Sequence, residues 1–234
     1  MNRQDKENSF ASALFTGVRS REVIDIAKDT MEAGVDAALG DSIAAVIPGV
    51  KILEFFVKLP SSVSNELFKR SVLAFIERGD DADPEQWEEL VNKLEQEEGG
   101  LDRAGDVMMR SLSNLDETKK ARYLGKLYAA AARKEISIEE MYRMQMVLDR
   151  AYLHDLENWQ HLISNLPVST MGAEWLANLG VFRSQSTVMP KLNLGSQNDA
   201  VVVTHDASSN LRKTYKLAPF GEKMLKAIGL IPNT

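Results

Sequence analysis

His154, Glu157 and His161 are residue types that could hold zinc or iron. Neutral imidazoles and a carboxylate ligate both metals, and on one helix the i, i+3, i+7 spacing would place all three on a shared face. Leu156 and Trp159 sit among them, and no second helix offers a Glu-x-x-His, so the group reads as a polar rim on a packed helix. Asp80, Asp81 and Asp83 gather carboxylates, yet the alternating oxygen ligands and distal Glu of a calcium loop are missing. Asp83 before Pro84 reads instead as a helix start. Glu88-Glu89 and Glu97-Glu98 lie on a strongly acidic helix and read as a solvated face rather than an acid/base pair. His205 falls in an expected turn. The chain has no cysteine, which excludes thiol nucleophiles, disulfides and thiolate metal sites. Phosphate-cradling glycine loops and the Gly-x-Ser-x-Gly elbow are absent too. The expectation is therefore a non-enzyme, with no catalytic, cofactor-binding or metal residue.

Gly40-Asp41-Ser42-Ile43 resembles the nucleophile block of the GDSL hydrolases. That block needs a preceding strand and a partner Asp-x-x-His. Here a helix is expected before it, and none of the three histidines has Asp three residues earlier. It reads as a glycine helix stop followed by capping residues.

The remaining chemistry is binding chemistry. The chain has net charge −6, which argues against general nucleic-acid affinity. The distribution is uneven. From Arg183 onward lie seven of the 28 Lys/Arg and three of the 34 Asp/Glu, so this tail is net +4 and the rest net −10. Arg183, Arg212, Lys213 and Lys216 are the candidate nucleic-acid contacts, through the phosphate backbone more than through base edges. A second candidate surface is the apolar window from Ser42 to Pro60. Pro48-Gly49 breaks it, and Lys51, Glu54 and Lys58 interrupt its second half. A spanning helix needs about 20 largely uncharged residues. This run is expected to pack in a core, or to reach a membrane surface or protein partner through Ile43, Val46, Ile47, Ile52, Phe55 and Phe56.

These residues need elements to hold them. The stretch from Ser137 to Leu166 predicts one long helix, opened by a Ser137/Glu140 capping box and closed by Pro167. Its apolar stripe runs from Met141, Met144, Val147 and Leu148 to Tyr152, Leu156, Trp159, Leu162 and Ile163. At ~1.5 Å per residue it would be about 40 Å long and serve as a spine for its neighbours. Before it, helices are expected over 21–39, 65–77, 84–98 and 102–113, and from Glu117 to near Lys134 with Asp116 as cap. The polar start, without a signal peptide's apolar core, makes residues 1–20 a flexible N-terminus. After Pro167 a short helix closed by Gly180 is expected, then a strand over VFRSQSTV. DAVVVTH and LRKTYKL alternate like paired strands, and a last helix covers APFGEKMLKAIG. The predicted fold is mainly α: a helical bundle domain over 21–167, then a winged-helix-like α+β part over 168–234.

The block KKARYLGKLYAAAARKEISIEEMYRMQMVLDRAYLHDL, with LANLGVF and YKLAPFGEKMLKAI after it, resembles the second half of Abi-alpha proteins. Ala218 stands where their final strand-helix pattern has Thr. The resemblance implies a bacterial or prophage-encoded defence protein of the abortive-infection type. It would be cytoplasmic or peripheral at the inner membrane, acting through a protein partner or self-association. It carries over no catalytic residue. The alternative is a DNA-binding regulator using the winged-helix-like tail.

Overall fold

Thr118–Ala132 is the helix around which the larger part of the molecule packs. Its sequence, TKKARYLGKLYAAAA, keeps its solvent-reaching residues Thr118, Lys119, Arg122 and Lys126 to one narrow stripe, and Ala121, Leu124, Leu127, Tyr128 and Ala129 to Ala132 are all buried. A helix with so wide a buried face belongs in a core. The computed structural model describes residues 10–33, 66–164, 170–188 and 211–232. The run containing Ile43, Val46, Ile47, Ile52, Phe55 and Phe56 lies outside the described residues, as does DAVVVTH.

In chain order the helices are α1 (Phe10–Arg19), α2 (Arg21–Ala33), α3 (Glu66–Ile76), a 3-10 turn (Glu77–Asp81), α4 (Pro84–Gln96), α5 (Gly100–Asn114), α6 (Thr118–Ala132) and α7 (Ile138–Arg150). Then follow α8 (Leu153–Glu157), α9 (Trp159–Ser164), α10 (Thr170–Asn178), the strands β1 (Phe182–Val188) and β2 (Leu211–Leu217), and α11 (Pro219–Ala227). The described chain is thus mainly helical, with one small two-stranded sheet. It divides into two compact units. One is Met1–Arg150 with Met224–Thr234, and the other is Ala151–Lys223.

The first unit is held by an aromatic cluster. Phe15 on α1 packs against Trp87 on α4 and Tyr128 on α6, with ring centroids 6.4 and 6.3 Å apart, and Phe75 on α3 meets Tyr128 edge-on at 5.5 Å. Each such ring contributes roughly 1.5–3 kcal/mol by leaving water. The Trp87 indole N–H donates to the Gly79 carbonyl at 2.8 Å, tying α4 to the 3-10 turn. Beside it Glu77 is buried and accepts from Arg78 at 2.8 Å and from Arg122 at 3.0 Å. Gly125 lets α6 approach α3: a Cβ there would lie 2.9 Å from the Phe75 carbonyl oxygen and 2.8 Å from Arg78 Cβ. The last turn of α11 returns to this unit. Met224, Leu225 and Ile228 are buried there, and Lys126 Nζ donates to the Ile228 carbonyl at 3.1 Å.

Two expectations fail here. The first concerns the start of the chain, expected to be flexible over 1–20, and fails from Phe10 onward; residues 1–9 lie outside the described residues. Residues from Phe10 onward form α1, which buries Phe10, Ala11, Ala13, Leu14, Phe15 and Val18. The polar first nine residues mask an apolar stripe at three- and four-residue steps directly after them.

The second is the single helix over 137–166. The capping box is present: the Ser137 amide donates to Glu140 Oε2 at 2.9 Å and the Glu140 amide to Ser137 Oγ at 3.1 Å. The helix nevertheless stops at Arg150, and the stretch is three helices, α7, α8 and α9. Tyr152 is extended at φ −73°, ψ 126°, and the Asn158 carboxamide donates back to the His154 carbonyl at 2.8 Å where α8 ends. Tyr152, expected in the apolar stripe, is 60% exposed. The spine is α6, not this stretch. A smaller correction concerns the cap of α6: Glu117 takes the N-cap position, and Asp116 instead pairs with Lys120 Nζ at 2.8 Å.

Candidate functional site

The two strands FRSQSTV and LRKTYKL carry all four candidate nucleic-acid contacts, Arg183, Arg212, Lys213 and Lys216, and no Asp or Glu. They pair antiparallel, with Phe182 opposite Leu217, Arg183 opposite Lys216, Gln185 opposite Thr214, Ser186 opposite Lys213 and Thr187 opposite Arg212. Residues alternate between faces along a strand, and directly paired residues share a face. One face of the ribbon therefore holds the positions of Arg183, Gln185, Thr187, Arg212, Thr214 and Lys216. The other holds Phe182, Ser184, Ser186, Lys213, Tyr215 and Leu217. The register pairs Arg183 with Lys216, gives Arg212 a position on the same face four residues along, and gives Lys213 a position on the opposite face. Arg183, Gln185 and Lys216 are exposed, and the Thr214 hydroxyl donates to the Gln185 carbonyl at 3.3 Å. β2 pairs with VFRSQSTV; DAVVVTH, expected as its partner, lies outside the described residues.

Within the same unit, α10 buries Ala173 and Leu176 and exposes Met171 and Trp175, one turn apart, at 76% and 46%. Its sequence, TMGAEWLAN, has apolar residues on more than one face of a short helix, and that surplus was the signal for this surface. Gly180 ends the segment at φ 81°, and the Ala218 amide donates to the Val181 carbonyl at 3.0 Å, joining the start of β1 to the start of α11. No protein-family model, curated protein or solved structure matches the chain.

His154, Glu157 and His161, expected on one face of a single helix, fall on two. His154 and Glu157 lie on α8 and His161 on α9, with the break at Asn158 between them. Among the described residues no group of three or more His, Asp or Glu is arranged to hold a metal ion. No helix among them is long and apolar enough to cross a membrane.

A polar cluster unseen in the sequence links helices of the first unit, from buried Ser111 to exposed Asp149. Ser111 on α5 donates its hydroxyl to the Asp149 carboxylate on α7, at 2.5 and 2.6 Å to the two oxygens. Burial pushes the Asp149 carboxyl up, opposed by the Ser111 bond and the charges of Lys120 and Arg150. Next to it the Tyr128 hydroxyl donates to Gln145 Oε1 at 2.9 Å, and Gln145 Nε2 donates to the Val107 carbonyl at 3.4 Å. Ser111, Tyr128 and Gln145 are buried while Asp149 lies at the exposed edge, so the cluster fastens α5, α6 and α7 together from the core outward. Its members are 17 and 38 residues apart in sequence, and no local motif announces them.

Proposed function

We propose that this chain is a non-enzymatic defence protein of the abortive-infection type, bacterial or prophage-encoded, acting through protein contacts. The observation that carries the reading is the exposed Met171–Trp175 edge of α10. Tryptophan and methionine are enriched at the centres of protein interfaces, where burial of one such side chain dominates the affinity. The resemblance to Abi-alpha proteins supports the same reading. Its blocks fall on the α6–α7 hairpin, the α10–β1 turn and the β2–α11 junction. The order α9, α10, β1, β2, α11 suits a winged-helix-like module used for packing and partner contact. The Ile43 to Phe56 residues are a second candidate contact, at the inner membrane surface or on a protein, and the chain is cytoplasmic in this reading.

A plaque assay tests it. Expression should lower the titre of at least some phages in a broad panel, and M171S/W175S should restore the titre while the protein stays folded. Unchanged titres across the panel, or full protection by the double variant, would overturn the proposal.

A further inference from the structure

We infer that the Arg183–Lys216 face of the β-ribbon is a phosphate-tracking surface for duplex DNA. The surface is separate from the α10 edge, and the inference does not depend on the defence reading. Arg183 and Lys216 are exposed and directly paired, and Arg212 holds the register position at the other end of the same face. Paired residues have Cβ atoms about 5 Å apart, and four residues of antiparallel strand span about 14 Å. Two cationic residues therefore hold one end of the face, and the register position of Arg212 lies roughly 14 Å along the strand. The B-DNA major groove is about 12 Å wide and admits a two-stranded ribbon. Laid across it, the face sets its two ends on the two phosphate backbones, with Gln185 and Thr214 between them over the base edges.

The composition of the face selects the partner. A carboxylate within it would repel phosphate, and it has none. Single-stranded nucleic acid is held mainly by stacking on aromatic rings. Phe182 and Tyr215, the ribbon's two aromatic residues, occupy the opposite face. A-form RNA has a major groove too narrow for side chains to enter. Duplex DNA remains, bound through its backbone, with only Gln185 and Thr214 placed near bases.

The test is fluorescence anisotropy of the full chain with a short mixed-sequence DNA duplex over a salt series. Each neutralised phosphate contributes about −0.9 to the slope of log K against log salt, so three predict about −2.7. R183A/K216A should flatten the slope by about 1.8, K213A should leave it unchanged, and R183K/K216R, which keeps the charges, should retain it. Three results would overturn the inference: wild-type binding to the duplex that is absent or insensitive to salt, K213A flattening the slope as much as the pair, or a single strand of the same sequence binding more tightly.

Discussion

Tyr128 and Gln145 form a buried donor–acceptor pair whose removal should be strongly non-additive. The Tyr128 hydroxyl donates to Gln145 Oε1 at 2.9 Å, and the two residues are 0% and 2% exposed. Burial pushes the Tyr128 phenol well above its ordinary range, so it stays protonated and a donor throughout the neutral region. Y128F removes the donor and leaves the buried Gln145 oxygen without it. That should cost about 1–3 kcal/mol, the desolvation of an unpaired polar group rather than the smaller net value of one hydrogen bond. For a chain of this size such a loss lowers the midpoint of thermal unfolding by about 2–12 °C. Q145M alone should cost a similar amount, because it strands the tyrosine hydroxyl and gives up the 3.4 Å bond to the Val107 carbonyl. Y128F/Q145M removes both polar partners and should cost less than the sum by about 1–2 kcal/mol. Urea unfolding of the four proteins closes the cycle. Additivity within about 0.5 kcal/mol, or Y128F as stable as wild type, would refute the reasoning.

Asp149 supplies a pH signature. Its native carboxyl is raised by burial, so its stabilising contribution is complete below the unfolded value of 3.8 and is lost as pH rises through the higher native one. D149N should therefore gain on wild type in urea midpoint from about pH 3.5 to pH 7, and a constant difference would count against this assignment. G221A should destabilise the second unit by about 1–3 kcal/mol, because the added Cβ would run into the Val181 carbonyl oxygen. Loss of β1–β2 amide protection in hydrogen exchange would report it. M171S/W175S should change stability by no more than about 1 kcal/mol, as expected for exposed positions outside the core; a larger loss of thermal midpoint would mean that α10 leans on these side chains.

Signals that act over one helical turn were legible in the sequence. Ser137 with Glu140 forms its capping box, and Asp83-Pro84 opens α4 with the Asp83 amide donating to Gln86 Oε1 at 2.9 Å. Gly180 stops the segment after α10, and Leu211–Leu217 alternates as a strand. What escaped depended on residues far apart in the chain. The break at Tyr152 involves neither Gly nor Pro, and an apolar period continues through it. The cations of the tail were visible by type, but the face each occupies depends on register, and one residue of slip would exchange them all. The pairing of β2 with β1, the Ser111–Asp149 bond across 38 residues and the return of α11 to the first unit are likewise tertiary choices.

That return has a consequence for synthesis. Translation delivers the first 150 residues well before Met224, Leu225 and Ile228, which complete their apolar interior. On the ribosome the earlier helices must wait, with part of their interior open, while the whole of Ala151–Lys223 is made. A stop codon placed after Arg150 would therefore yield an unfinished body rather than a free-standing module. A chain in which a flexible linker replaces Ala151–Lys223 would keep all the residues of that body.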